Sequence, residues 1–411
     1  MSSAPGSRDA DRKLLASLNA KIEEAEALLT DLRAAKQLVV DRLATYVYPV
    51  LTLPVETMTE IFIRFIPAYP TPPPLFGTLS PTTLTQVCSV WRQIGQSTPA
   101  LWRSMRIDGR TRRWDDITLT TVEKWLERSR PLLLSIHVDE FRHINRATLN
   151  ASLQMMDLLL RHADRWEHAL LHLPVMYDRP PIDRPAPLLV HLDIRYDCFQ
   201  PTRITTSPGM SRGCLASYLP NLSTVVIHQS YDPFDDFSTA YPLPWSQLTT
   251  LHLNSAQLNF VTFILCETTS LVCCRLRMLI ASTMGLFLAS HNTPAQIELQ
   301  TLESLVIEID AADGDPDGFS VGAHSVTTLL QALRVPRLRR LCVQDVFLTD
   351  DISMLASAMQ DMGCALDVLA LAVPLNTTRT VKECREVFST DAVASIELVD
   401  RHYAFDGEEW D

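Results

Sequence analysis

Several short motifs in this 411-residue sequence carry residue types that could do chemistry. Gly209-Met210-Ser211-Arg212-Gly213 has the G-x-S-x-G spacing of a nucleophile elbow, which lifts a serine on a tight turn between a buried strand and a helix. The residues before it, Thr205, Thr206, Ser207 and Pro208, are polar and turn-forming. No ordered Asp and His partners stand out among the 11 histidines, so the segment reads as a loop hinged at two glycines. Asp313-Gly314-Asp315-Pro316-Asp317-Gly318 opens like a calcium-binding loop. Its twelfth position is His324 where a bidentate glutamate belongs, and a strand-like run, Leu305 to Ile309, precedes it. It reads as an acidic surface loop. Cys273-Cys274 lies inside another strand-like run, where Cys274 reads as core. None of the nine cysteines forms a CxxC pair, so neither a zinc finger nor a disulfide scaffold is expected. No enzyme activity, metal or cofactor is expected on these grounds.

Composition narrows the classes further. Hydrophobic residues make up 46% and charged residues 20%, which is enough apolar surface for a sizeable core. The formal net charge of -12 disfavours a nucleic-acid backbone binder, although Arg103, Arg106, Arg110, Arg112 and Arg113 form a local basic cluster. That cluster reads as solvated or ion-paired. No apolar run is long enough to span a membrane. The opening MSSAPGSRDADRK has no signal-peptide core, so Asn221-Leu222-Ser223 and Asn376-Thr377-Thr378 are expected to stay unglycosylated. The expected compartment is reduced and intracellular, cytoplasmic or nuclear.

The chain reads in three parts. Residues 1–9 are expected to be disordered, and 10–46 form a long amphipathic helix. Leu15, Leu18, Ile22, Ala25, Leu29, Leu32, Val39 and Leu43 fall at alternating spacings of three and four, with Lys36 alone breaking the row. Two readings stand: a coiled coil that makes a homodimer through 15–43, or a helix folded back on the chain. The second part, 51–107, is a small all-helical unit. Pro54 suits a first helical turn, Ser80-Pro81 is a cap-and-proline pair, and Thr98-Pro99 repeats that signal. Leu84, Val87, Cys88 and Trp91 then fall on one face of a single helix. A proline-rich loop, with Pro67, Pro70, Pro72, Pro73 and Pro74, separates the helices.

Leu53-Pro54-x-Glu56, Ile61-Phe62, Val87-Cys88-x-x-Trp91-Arg92 and Thr98-Pro99-x-Leu101-Trp102, in that order, resemble an F-box. The likeness is to F-box proteins of mushroom-forming fungi, and it covers about residues 14 to 107. The loop from Ala68 to Thr83 is longer than in a compact F-box. The resemblance implies a module that docks a Skp-type adaptor, and through it a cullin. Carried over by position, Leu53, Pro54, Ile61, Phe62, Val87, Cys88, Trp91, Leu101 and Trp102 would meet that adaptor. Packing inside the chain is the competing reading for these residues, Trp91 and Trp102 above all.

The third part, 131–399, repeats apolar residues at i, i+3 and i+5. The pattern is clear at Leu133-Ile136-Val138, Leu189-Leu192-Ile194, Leu222-Val225-Ile227, Leu248-Leu251-Leu253 and Leu271-Cys274-Leu276. It continues at Leu302-Leu305-Ile307, Leu338-Leu341-Val343, Leu366-Leu369-Leu371 and Val393-Ile396-Leu398, with a looser copy at Trp166-Ala169-Leu171. From Leu189 onward the starts are 23 to 36 residues apart, close to a leucine-rich-repeat period. The expected fold class is therefore α/β: a long N-terminal helix (coiled coil), a small all-α F-box, then an irregular leucine-rich-repeat-like curved α/β solenoid. The competing architecture is a layered α/β domain. The asparagine that completes many such repeats is replaced by Ser230, Ala256, Asp310 and Val346, so uneven turns are expected. Residues 400–411 form an acidic tail.

Strand positions flanking the leucines would face the concave side and hold a protein substrate. They include His191, Asp193, His228, His252, Asn254, Arg275, Arg277, Glu308 and Gln344. Solvated positions of alternating strands are the plainer reading of each one alone. Together these features point to a non-catalytic substrate-recognition subunit of a Skp-cullin-F-box type ubiquitin ligase. The alternative is a scaffold that uses the same parts for assembly.

Overall fold

A computed structural model describes residues 5–45, 49–109, 115–139, 146–174, 182, 184–197, 217–229, 243–256, 258–280, 296–311, 326–344, 352–373 and 380–400. The Ser211 motif, the acidic loop from Asp313, Arg110, Arg112, Arg113, Ser230, Val346, the Asn376 sequon and the tail beyond Asp400 lie outside these residues. The chain divides into two compact units, Met1–Ile61 and Phe62–Asp411. The predicted box at 51–107 straddles that division.

The first helix, α1, spans Pro5–Thr45. It starts inside the segment expected to be disordered, because Pro5 is tolerated where a first-turn N–H has no partner. Its seam residues are exposed, from 45% at Val39 to 63% at Leu43. No described helix is long and apolar enough to cross a membrane. Helix α2 is Val55–Phe65, and in the second unit α3 and α4 are Pro81–Val87 and Ser89–Gln96. Sequence periodicity treats α3 and α4 as one helix. They are two because Cys88 is extended (φ -154, ψ 174) and its Sγ accepts the Trp91 N–H at 3.5 Å, capping α4. The break turns Val87 outward, 60% exposed, while Leu84 is buried. Ser80 caps α3 as expected, its Oγ accepting from Thr82 N at 3.3 Å.

The second unit is built on eleven parallel strands ordered as in the sequence, apart from one two-stranded ladder. The strands are β1 (Ser104–Asp108), β2 (Leu134–Asp139), β3 (Trp166–Pro174), β4 (His191–Asp197), β5 (Thr224–Gln229) and β6 (Thr250–Ala256). Next come β7 (Cys273–Ile280), β9 (Ser304–Ala311), β11 (Arg340–Gln344), β12 (Leu366–Val373) and β13 (Val393–Asp400). The ladder pairs β8 (Ile297–Glu298) with β10 (Leu333–Arg334). Each of the ten i, i+3, i+5 frames coincides with one strand. At Leu189, Leu222, Leu248, Leu302 and Leu338 the first residue of the frame closes the entry turn, its N–H donating to the carbonyl three residues back, and the other two point to the core face. Leu189, Leu192 and Ile194 are thus 0%, 0% and 2% exposed. Burying each such side chain stabilises the fold by about 1.5–3 kcal/mol.

Six strand entries, those of β5, β6, β7, β9, β11 and β12, share one backbone pattern. At each of these entries one backbone carbonyl of the preceding strand's start takes two N–H groups. Val190 O receives Ser223 and Thr224, and Ser223 O receives Thr249 and Thr250. Thr249, Val272, Glu303 and Arg339 continue the same ladder at 2.8–3.1 Å. Main-chain bonds thus satisfy these entries, with Ser223 Oγ and Thr249 Oγ1 adding donors at two of them. Between strands lie α5 (Asp116–Arg128), α6 (Arg146–Leu160), α7 (Leu258–Glu267), α8 (Ile352–Met362) and α9 (Val381–Val387). Gly363, at φ +70, ends α8 in the left-handed conformation that a glycine adopts without strain. Thr380 and Glu383 form a reciprocal capping box on α9.

The proline-rich loop covers the sheet's first edge. Arg106 N donates to Pro73 O at 2.9 Å, Leu75 N donates to Arg106 O at 3.3 Å, and Ser135 Oγ donates to Pro70 O at 2.7 Å. Tyr69 hydrogen-bonds Glu167 of β3, and Arg103 stacks 3.4 Å from the Tyr69 ring centroid. An exposed strand edge is a template for aggregation, and prolines in the covering segment cannot extend it.

Candidate functional site

Register places the second face of the sheet in columns. One column runs His137, Leu170, Asp193, Val226, His252 and Arg275 across β2 to β7. The next begins Asp139, His172, Arg195, His228 and Asn254. Six of the 11 histidines of the chain stand on this face: His137, His168, His172, His191, His228 and His252. Beyond β7 the face changes character. Val306, Cys342, Ala370 and Ala372 are buried there, and burial pushes the Cys342 thiol up to about 12.

The polar half is tightest around His172. Its Nδ1 lies 3.5 Å from Asp139 Oδ1, and its Nε2 lies 3.8 Å from Asp193 Oδ1. His228 Nε2 approaches the same Asp193 oxygen at 3.2 Å. The His172 ring meets the rings of His137 and His228 edge to face, at centroid distances of 5.9 and 5.6 Å. Both nitrogens of His172 and His137 Nε2 are buried without a hydrogen-bond partner, and the imidazoles near the buried Asp193 Oδ1 are not aligned for one. Burial acts to raise the Asp193 carboxyl, but His172 and His228 outweigh it and hold the group at about 2. Burial also drives His137 down to about 4, with His172 adding to the effect, and it lowers His168 and His191. The arrangement can hold a cation between imidazoles and carboxylates, or bind a polar peptide surface.

The residues expected to meet a substrate divide. His191, Asp193, His228, His252 and Asn254 are brought together on adjacent strands. Arg277 pairs with Glu308 at 3.7 Å, and Arg275 shares their face. Gln344 is completely buried, and its Oε1 accepts the Ile309 N–H at 2.6 Å. It therefore ties β11 to β9 and offers nothing to a partner, a correction to its reading as a surface residue. Sequence reasoning passed over His137, Asp139 and His172. The signal was the strand frame itself, since these residues hold the same positions between core residues on β2 and β3 as the residues chosen on later strands.

The adaptor set divides too. Leu53, Ile61 and Val87 are 39%, 46% and 60% exposed, Pro54 is exposed, and Cys88 and Trp91 are half-buried. Phe62, Leu101 and Trp102 are completely buried. Phe62 meets Trp91 at 5.0 Å between ring centroids, and Trp102 meets Trp125 at 5.1 Å. The last two adaptor positions of the resemblance, Leu101 and Trp102, are thus core residues of the second unit, because β1 begins directly after them.

Known proteins add little to this geometry. No family model matches the chain, and no curated protein matches it. A crystal structure of the Rad7 and Elc1 complex in yeast matches over 93% of this chain and 97% of that one, at 14% identity. Its TM-score is 0.32, too low to carry an argument.

Proposed function

We propose that the chain is a substrate-recognition subunit of a Skp-cullin-F-box type ubiquitin ligase, with F-box-like helices that dock a Skp-type adaptor and leucine-rich-repeat-like strands that hold a protein substrate. The observation that carries this reading is the four short motifs in order, with Leu53, Pro54, Ile61 and Val87 left exposed. Apolar side chains of this kind on short helices are the anchors a hot-spot interface uses. The polar half of the sheet supports the substrate side, since both charge signs lie on one face. No chemistry is assigned to the chain. It acts by holding a substrate at high effective concentration near a ubiquitin-charged enzyme.

The test is a binding measurement with purified Skp-type adaptor. Leu53→Ala with Pro54→Ala, and separately Val87→Asp, are expected to weaken binding at least about tenfold, the size of a hot-spot loss, with thermal unfolding unchanged. Absence of binding by the folded wild type overturns the adaptor reading. Ubiquitination of a bound partner, with and without the adaptor complex, separates a ligase subunit from a scaffold.

The α1 seam is assigned to self-pairing. Leu15, Leu18, Ile22, Leu29, Leu32, Val39 and Leu43 repeat at heptad spacing and are exposed. Light scattering of the full chain is expected to give twice the monomer mass, falling to one monomer when residues 10–45 are deleted. A monomeric full chain removes this reading.

A further inference from the structure

We propose that His172, Asp193 and His228 form a site for a divalent zinc-class cation on the polar face of β3 to β5, with Asp139 orienting His172. This inference is independent of the adaptor reading. The donor set is two imidazole nitrogens and one carboxylate oxygen, a combination that suits Zn2+ and leaves a fourth position for water or a substrate group.

Geometry selects these three residues from the larger cluster. Their ligating atoms all lie within 4.8 Å of one another. Around a tetrahedral ion with bonds of about 2.0–2.1 Å, donor atoms stand roughly 3.3 Å apart. The 3.2 Å and 3.8 Å approaches to Asp193 Oδ1 bracket that spacing. His137, Asp139 and His172 form a second candidate group. The two ends of the His172 ring decide between them. Its Nδ1 faces Asp139 at 3.5 Å, close enough that a small shift lets the carboxylate accept a hydrogen bond from Nδ1–H and leaves Nε2 as the ligand. His228 Nδ1 lies 3.3 Å from the Asn254 amide nitrogen, so metal binding requires that amide to turn and its oxygen to accept from Nδ1–H, which frees Nε2 to ligate.

The same atoms are poorly satisfied as they stand. His172 Nε2 is buried with no hydrogen-bond partner, and the imidazole nitrogens 3.2 and 3.8 Å from the buried Asp193 Oδ1 are not aligned for one. Buried polar atoms without partners are rare, and an ion between them satisfies both. The surroundings also set a limit on affinity. Arg195 stands between His172 and His228 in the register column, and its charge opposes a bound cation.

Tag-free full-length protein, stripped with a chelator and dialysed, is titrated with ZnCl2 by calorimetry and with Co2+ by visible absorption. One equivalent is expected to bind, with the Co2+ spectrum of a four- or five-coordinate site. His172→Asn and His228→Asn are each expected to abolish stoichiometric binding. Asp139→Asn is expected to weaken it by about 10–100-fold without abolishing it, as an orienting residue should. Asp193→Asn keeps the side-chain shape and carries the test should a histidine variant fail to fold. Wild type that takes up no saturable equivalent overturns the proposal. So does folded His172→Asn or Asp193→Asn protein that binds like wild type, which would mark an adventitious ion only.

Discussion

Replacing Trp102 with alanine is expected to destabilise the second unit by about 3–5 kcal/mol, measured as a fall in the denaturant midpoint. The indole is completely buried, packs edge-on against Trp125 at 85° between ring planes, and lies beneath the Arg128 guanidinium at 4.6 Å. Its Nε1–H also donates to Gly95 O at 2.7 Å, tying α4 to the start of β1. Alanine removes the ring contacts, opens a cavity and leaves that carbonyl only its backbone donor from Thr98 at 3.4 Å. Trp102→Phe keeps an aromatic ring against Trp125 but loses the hydrogen bond and part of the buried ring volume, so a smaller cost of about 1–3 kcal/mol is expected. A loss of less than about 1 kcal/mol for the alanine variant would show that this contact is not a core contact. The same variant bears on the functional reading. Adaptor binding by folded Trp102→Phe should equal that of wild type, whereas the exposed Leu53 and Pro54 variants should lose binding and keep their stability.

The strand leucines, Cys88 and Trp102 differ in how far their sequence neighbours reveal their place in the fold. Ten strands were legible because leucine and its relatives recur at i, i+3 and i+5, and a strand shows alternate residues to one face. Leu251 and Leu253 therefore announce their burial, and His252 between them announces the opposite face. Cys88 announces nothing: its neighbours continue a helical period, and only its extended backbone divides α3 from α4. Trp102 could have been an anchor for a partner or a core residue, since both need a large apolar side chain after a turn. The strand beginning at Ser104 decides for the core. The histidine–aspartate cluster is hidden for a different reason. Its members come from β3, β4 and β5, with long connections between them, so no local spacing exists to be recognised. It emerges only when the strand frames are aligned in register.

Arg165→Ala should uncouple the first repeats from one another, at a cost of about 1.5–3 kcal/mol, the usual worth of hydrogen bonds to a charged group. Arg165 Nε and Nη2 donate to Leu132 O at 2.9 and 2.6 Å, Nη1 to Leu126 O at 3.2 Å, and Nη2 to Ser129 Oγ at 2.8 Å. Leu126 lies in the last turn of α5, where carbonyls have no partner within the helix and a cation is favoured. Leu132 lies in the turn that delivers the chain to β2. One planar guanidinium thus fixes the end of a helix and the start of the next strand. Arg165→Lys should recover little, because a single ammonium cannot span three acceptors in a fixed fork. The location of the damage is as informative as its size. Every strand of the large sheet pairs only with its neighbours in order, so stability in such an array is close to a sum of local and nearest-neighbour terms. Hydrogen exchange in Arg165→Ala should therefore speed up in α5, β2 and β3 and stay near wild type in β11 to β13. Equal acceleration across all eleven strands would mean that the sheet unfolds as one cooperative body, and that Arg165 supports the whole unit rather than one joint in it.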